Sequence, residues 1–339
     1  MKAIGLYKYL AIENEESLID LELDQPTPTG QDLLIAVKAI SVNPVDTKIR
    51  APKDTIESVP KILGWDGAGE VVAVGEDVKH FAVGDQVYYA GDITRAGSNS
   101  EYQLVDERIV GRMPETLDYT EAAALPLTSI TAWEALFDRL DISKTGEDKG
   151  KSILIIGGAG GVGSIAIQLA KQLAQLTVIG TASRPETVDW VKARGADIVI
   201  NHRKPIDQEL DGAGVTNVDY ILCLNSTGAH WSAMANAIAP QGRICSIVDT
   251  EHPVDINLLK SKSVIFSWEF MYTRSMFQTA DMIEQQRLLN EVAELIDHGQ
   301  LSTTVNKVVR PINAANLRSV HALIEQGSAI GKIVLADWK

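Results

Sequence analysis

Cysteine is almost missing from this chain: among 339 residues there are two, Cys223 and Cys245. Both stand in apolar, strand-like runs, so they read as buried free thiols in a reducing compartment rather than a disulfide. Two thiolates are also too few for a structural zinc bound through four of them. Basic residues are outnumbered, 31 against 45 acidic ones, and the formal net charge of −14 argues against nucleic acid or an anionic membrane as partner. No apolar run approaches the length that spans a bilayer. Met1–Tyr7 passes quickly into the acidic stretch Glu13–Glu16 with no signal-peptide pattern, so a cytoplasmic location is expected. Internal repeats, low-complexity tracts and heptads are absent as well.

What remains is an ordinary globular composition, 45% hydrophobic and 22% charged, in a chain long enough for two domains. Its most informative stretch is Ile153-Leu154-Ile155-Ile156-Gly157-Gly158-Ala159-Gly160-Gly161-Val162-Gly163, after which apolar residues recur at helical spacing. That is strand, tight turn, helix. Gly158, Gly160 and Gly163 fit G-x-G-x-x-G, in which the glycines make the turn, admit a pyrophosphate and let helix pack on strand. The helix start at Gly161, Val162 and Gly163 presents backbone N–H groups to phosphate. A dinucleotide site is therefore expected here, although glycine also collects in purely structural turns.

The next strand, Thr177–Thr181, tests which dinucleotide. NAD would call for an acid near its end, and the sequence there is Ala182-Ser183-Arg184, with no acid before Glu186. Ser183 and Arg184 can hold a 2′-phosphate, which favours NADPH. Ser183 can equally cap the following helix, with Pro185 at its first position. The two roles are compatible.

From Lys2 to about Val110 short alternating strands are broken by turn residues, a β-rich pattern. Near Leu127 it gives way to alternating helices and strands, with further strands at Ile198–Ile200, Tyr220–Leu224, Arg243–Val248 and Ser263–Phe266. The expected fold is α/β: a β-rich domain over 1–127 and a doubly wound parallel sheet over 128–301. Asp281–His298 reads as a long amphipathic helix ended by Gly299, and the tail 302–339 as strand, helix and strand that complete the first domain.

Asn43-Pro44-Val45-Asp46-Thr47, the block Gly64-Trp65-Asp66-Gly67-Ala68-Gly69-Glu70-Val71-Val72-Ala73-Val74-Gly75 and the glycine turn together resemble the medium-chain dehydrogenase/reductase superfamily, in its zinc-free quinone oxidoreductase branch. The resemblance implies a GroES-like first domain and a Rossmann second domain. Zinc alcohol dehydrogenases of that superfamily carry a cysteine where this chain has Asn43 and a histidine where it has Trp65. Their third ligand falls within Leu125–Leu127, which holds neither cysteine nor carboxylate. No metal site is expected, since catalytic zinc needs three protein ligands. Hydride transfer to a quinone or activated enone demands less polarisation than oxidation of an alcohol.

By the same resemblance Asn43 faces cofactor and substrate, Asp46 supports the turn and Thr131 lies beside the nicotinamide or its phosphates. For Asn43 a local turn-forming role is the plain alternative, and for Asp46 capping of the short helix that follows. His202 and Arg203 stand where a tyrosine usually helps hold the 2′-phosphate. Asn225, Ser226 and Val248 lie at strand ends, where ligands bind in such sheets. Lys332 resembles a lysine that reaches the cofactor, against the reading of a solvated strand-end residue. Trp268–Tyr272 either walls the substrate pocket or forms a dimer seam, and the apolar sixth strand at a sheet edge predicts a homodimer. An NADPH-binding sensor or scaffold with little turnover, and a zinc alcohol dehydrogenase with substituted ligands, are the competing functions.

Overall fold

Burial on both faces makes the strands of a parallel sheet read as near-continuous apolar runs, and Ser152–Ile156 is such a strand. In the computed structural model, which describes residues 1–339, it lies inside a six-stranded parallel sheet. The order is Ile198–Ile200, Thr177–Thr181, Ser152–Ile156, Val218–Cys223, Ile238–Ser246, Ile265–Trp268. Strand order reverses beside Ser152–Ile156, where successive strands stop adding on one side and start on the other, and this switch point is where ligands bind in doubly wound sheets. Ile155 faces Gly180 on one side and Leu222 on the other. Leu154, Ile156, Ile179 and Ile221 join Trp231, Met234 and Leu259 of the covering helices in one apolar core. The last strand starts at Ile265 and not at Ser263, because Ser263 takes a left-handed conformation (φ +53°) at the end of a short 3-10 helix, Ile256–Lys262.

The chain forms two units, Thr128–Met271 and Met1–Leu127 with Tyr272–Lys339. Return to the first unit thus comes at Tyr272, ahead of the 302 boundary that the sequence suggests. The amphipathic helix, observed as Glu284–Asp297, causes the difference. Its Gln286 Nε2 donates to Glu107 O (2.9 Å), its Asn290 Oδ1 accepts from Arg112 N (2.9 Å), and Tyr88 donates to its Leu289 carbonyl, all within the first unit.

That unit is built on a seven-stranded sheet. Six strands follow the order Val305–Val309, Lys332–Ala336, Asp32–Ser41, Asp66–Val74, Gln86–Tyr89, Val110–Arg112, and Tyr102–Asp106 also pairs with Asp32–Ser41. A smaller sheet joins Ile19–Glu22, Lys2–Tyr9 and Lys53–Ile62. Register matters most at Ser41, which lies opposite Asp66 on one side and Val334 on the other. The alignment brings the residues just beyond Ser41, at Asp66 and just before Val334 to one spot. No helix is long and apolar enough to cross a membrane, and both cysteines are free and buried.

Candidate active site

At the switch point the chain leaves Ile156 through Gly157, whose φ of +93° makes it the turn-forming glycine, a role the motif reading gives to Gly158. The turn is tied to the neighbouring strand end: Gly157 N donates to Thr181 Oγ1 (3.0 Å) and Gly158 N to Thr181 O (3.2 Å). A Cβ on Gly163 would sit 2.4 Å from Gly157 O, so no other residue lets the helix Gly161–Gln172 approach this closely. At Gly160 a Cβ would meet only Gly157 O, at 3.5 Å, which leaves open space before the first-turn N–H groups of Gly161, Val162 and Gly163. This cradle fits the pyrophosphate of a dinucleotide.

Ser183 and Arg184 follow at the same edge of the sheet, both half-buried. The residue that caps the helix Pro185–Ala193 is Arg184, not Ser183. Thr187 completes the cap by accepting from Arg184 N and donating to Arg184 O. Ser183 is thereby released from the capping role the sequence allowed it. Arg184 Nε also lies 3.0 Å from the exposed carboxylate of Glu186, a surface pair of little intrinsic strength.

Asn225 stands next to the glycine turn, its Cβ 3.8 Å from where one on Gly157 would be, and its amide oxygen accepts from Ser226 Oγ (3.1 Å). Ser226 takes a left-handed φ of +50° at the start of helix Thr227–Ala237. The Val248 carbonyl is already held by Thr227 Oγ1 (2.6 Å). His202 is half-buried with Nδ1 unpartnered, and Arg203 is exposed. Burial, and then the Arg203 charge, hold the His202 imidazole below its ordinary pKa. His230 belongs to no sequence motif, yet its pKa too is lowered, by burial and then by His202. Thr131 is buried in the helix Pro126–Trp133. Of the aromatic stretch, Trp268 and Phe270 are exposed while Glu269, Met271 and Tyr272 are buried.

In the first unit the register at Ser41 assembles a second polar centre. Asn43 lies two residues past the end of the strand Asp32–Ser41 and caps the helix Pro44–Arg50. Its backbone N–H donates to Asp46 Oδ2, and Asp46 N returns a bond to Asn43 O (3.0 Å). The helix-capping role for Asp46 is therefore present. Asn43 Nδ2 donates to Asp66 Oδ2 (2.7 Å), and Asn43 Oδ1 accepts from Lys332 Nζ. Lys332 Nζ also donates to Asp66 Oδ2 (3.0 Å) and Val42 O (3.1 Å). Asp66 Oδ1 accepts from Leu127 N (2.8 Å).

Two expectations change here. Lys332 is 3% exposed, and its three N–H groups all have acceptors within this unit, so it is not a solvated strand-end residue. Asn43, 1% exposed, commits its amide oxygen to Lys332 and one amide N–H to Asp66, so only its second N–H is open to a ligand. Asp66 is the residue that sequence reasoning missed. A carboxylate inside a glycine-rich strand block was the available signal, because a buried charge requires a partner. Burial pushes the Asp46 carboxyl up to about 7; the Asn43 N–H and the Lys332 ammonium oppose the rise, and Asp66 adds to it. Asp46 Oδ1 and Ser41 Oγ are buried without a hydrogen-bond partner.

Fold and site together define a dinucleotide-dependent oxidoreductase of two units. Residues 29–115 match the alcohol dehydrogenase GroES-like domain and residues 194–335 a family described as zinc-binding dehydrogenase. A zinc-type alcohol dehydrogenase-like protein of Staphylococcus epidermidis is 43% identical over 99% of both chains. A crystal structure from Rhizobium etli CFN 42, provisionally named a zinc-dependent alcohol dehydrogenase, is 53% identical with a TM-score of 0.96, covering 100% of this chain and 98% of its own. Escherichia coli quinone oxidoreductase, solved with NADPH, is 25% identical with a TM-score of 0.81 and coverage of 99% and 100%. The chain belongs to the medium-chain dehydrogenase/reductase superfamily, among the zinc-type alcohol dehydrogenase-like proteins. Its doubly wound unit is of the kind that binds a nicotinamide cofactor.

The zinc in those descriptions has to be tested on the donors present. Asn43 gives its amide to an ion pair, the Trp65 indole N–H donates to Asp92 O (3.1 Å), and Leu125–Leu127 offer no ligand side chain. No group of three His, Cys, Asp or Glu residues is placed to hold a metal ion. This donor set does not fit a catalytic zinc.

Proposed function

We propose that the protein is an NADPH-dependent reductase that passes a hydride to a quinone or another activated enone or carbonyl, without catalytic zinc. The observation that carries this reading is the centre around Asn43, where a carboxamide held between the Asp66 carboxylate and the Lys332 ammonium stands at the position that the resemblance gives to a zinc-binding cysteine. Bound NADPH supplies the hydride. The glycine turn holds its pyrophosphate, Ser183 and Arg184 take the 2′-phosphate, and the Asn43 centre orders the acceptor. Such acceptors delocalise the charge they receive, so placement and hydrogen-bond donors suffice without a Lewis acid.

Prolonged chelation followed by stopped-flow oxidation of bound NADPH with 1,4-benzoquinone tests the reading. Activity should survive. Activity lost on chelation and restored by zinc would overturn the zinc-free mechanism, and tight binding without oxidation by any quinone or enone would point to a sensor or scaffold instead.

Cofactor choice gives a second expectation. Arg184→Ala should weaken NADPH by about 1.5 to 3 kcal/mol, the range for a hydrogen bond to a charged group, and leave NADH almost unchanged. Isothermal titration of both cofactors measures it, and a parent protein that binds them equally would sink the assignment of Ser183 and Arg184.

The reading includes a homodimer. Ile265–Trp268 is the outer strand of its sheet, and Ile265, Trp268 and Phe270 are each about half exposed. An apolar free edge of this kind is relieved by pairing with a symmetry mate. Light scattering at micromolar concentration should return a dimer, and Ile265→Lys should shift it toward monomer. A monomeric parent would count against the pairing.

A further inference from the structure

We infer that Asp66 and Lys332 form a positioning pair for Asn43, a buried carboxylate and ammonium that fix which way its carboxamide faces. The inference rests on the proposal that Asn43 orders the acceptor. A carboxamide can rotate by half a turn wherever its two ends meet interchangeable partners. Here they are not interchangeable. Oδ1 faces an ammonium, which only donates, and Nδ2 faces a carboxylate, which only accepts. Turning the amide over would set NH2 against NH3⁺ and C=O against COO⁻, so the orientation is fixed by charge.

The pair itself is held from three directions. Lys332 sits two residues before the Val334–Ser41 register point, in a strand hydrogen-bonded to Asp32–Ser41, and its remaining N–H is taken by Val42 O. Asp66 lies opposite Ser41 on the other side. Its second oxygen is tied to Leu127 N in the first turn of helix Pro126–Trp133, and Ser98 Oγ donates to its carbonyl (2.8 Å). Asp66 is fully buried and the Lys332 side chain is 4% exposed. Buried ion pairs are poor sources of stability, because desolvation offsets their attraction. Orientation is what this one supplies. One Nδ2 hydrogen of Asn43 is committed to Asp66; the other has only the Ser41 carbonyl, at a long 3.4 Å, and is the hydrogen left to give to an acceptor's oxygen.

The decisive variant is Asp66→Asn/Lys332→Met in the full chain, which removes both charges and leaves no unpaired ion buried. Three readouts are taken: thermal midpoint, the Asn43 side-chain NH2 signals with 15N-asparagine label, and quinone kinetics with NADPH. A positioning pair predicts a midpoint near the parent's and Asn43 amide protons that exchange with solvent about tenfold faster or more, the change expected when a hydrogen bond of about 1.4 kcal/mol or more is lost. It also predicts a kcat lower by about tenfold or more, with the quinone KM and NADPH dissociation constant within about threefold. A double variant that keeps kcat and amide protection along with the midpoint would show the pair to be structural only. Asp66→Glu guards against misfolding of the double variant, since it retains both charges and moves the carboxylate by one methylene. It should lower kcat by about fivefold or more, and an unchanged kcat counts against positioning. Were the parent to reduce no quinone or enone, the functional proposal would fail while amide exchange would still decide this one.

Discussion

Lys332→Met is expected to destabilise the protein by about 3 to 5 kcal/mol, the cost of breaking a buried ion pair from one side. The ammonium is nearly enclosed and serves three acceptors, so methionine fills much of its volume and satisfies none of them. Asp66 is left as a buried anion that keeps the N–H of Leu127 and the amide of Asn43 but loses its counter-charge. The defect should depend on pH in a direction that identifies its cause. A stranded carboxylate escapes part of the penalty by taking up a proton, so the folded state of the variant binds one more readily than the unfolded chain does. Its stability then falls as pH rises. Asp66→Asn strands the ammonium instead, and its defect should deepen as pH falls. Urea unfolding of both variants at about pH 5 and about pH 8 reads the two signs. Equal losses at both pH values would mean that lost packing, rather than an uncompensated charge, dominates.

This pair also marks how far the sequence could be read. The doubly wound sheet was legible because Ile153–Ile156 and the glycines after it satisfy strand, turn and helix requirements at once, and local chemistry there determines local structure. The motif reads the turn one glycine late, since it does not state which of Gly157 and Gly158 carries the positive φ. Asn43 and Asp46 could be flagged from the Asn-Pro-x-Asp pattern, but their partners could not. Asp66 and Lys332 are 266 positions apart. What joins them is a strand register across Asp32–Ser41, and a single sequence does not encode register in a form that can be read off. A lysine near a strand end looks solvated until the strand beside it is known. The helix Glu284–Asp297 teaches the same lesson on a larger scale: its apolar stripe showed that it packs on something, and only Glu107, Arg112 and Tyr88 reveal what.

Two buried titrating groups of the first unit should give opposite pH dependences of stability that largely offset each other in the parent. His321, in the helix Ala314–Glu325, is fully buried, and neither ring nitrogen has a partner. Burial, reinforced by the Arg50 guanidinium, lowers its pKa from 6.5 to about 3. Between those values the unfolded chain holds a proton that the folded state refuses, so the contribution of His321 is lost as pH falls, at about 1.4 kcal/mol per pH unit and on the order of 5 kcal/mol in all. Asp46 runs the other way. Its folded carboxyl titrates near 7 against an ordinary 3.8, so here the folded state holds the extra proton and stability is lost as pH rises from about 4 toward 7. Lowered carboxylates elsewhere, such as Asp118 and Asp148, add to the acid slope, and differences between variant and parent remove them. Stability of His321→Leu relative to the parent should therefore climb as pH falls below about 6.5, while that of Asp46→Asn should climb as pH rises from about 4. Urea unfolding of both variants and the parent across this window measures the two slopes. A flat difference profile for His321→Leu would mean that the imidazole has an unseen hydrogen-bond partner or is protonated in place beside Arg50, and a flat profile for Asp46→Asn would mean that Lys332 holds Asp46 ionised throughout.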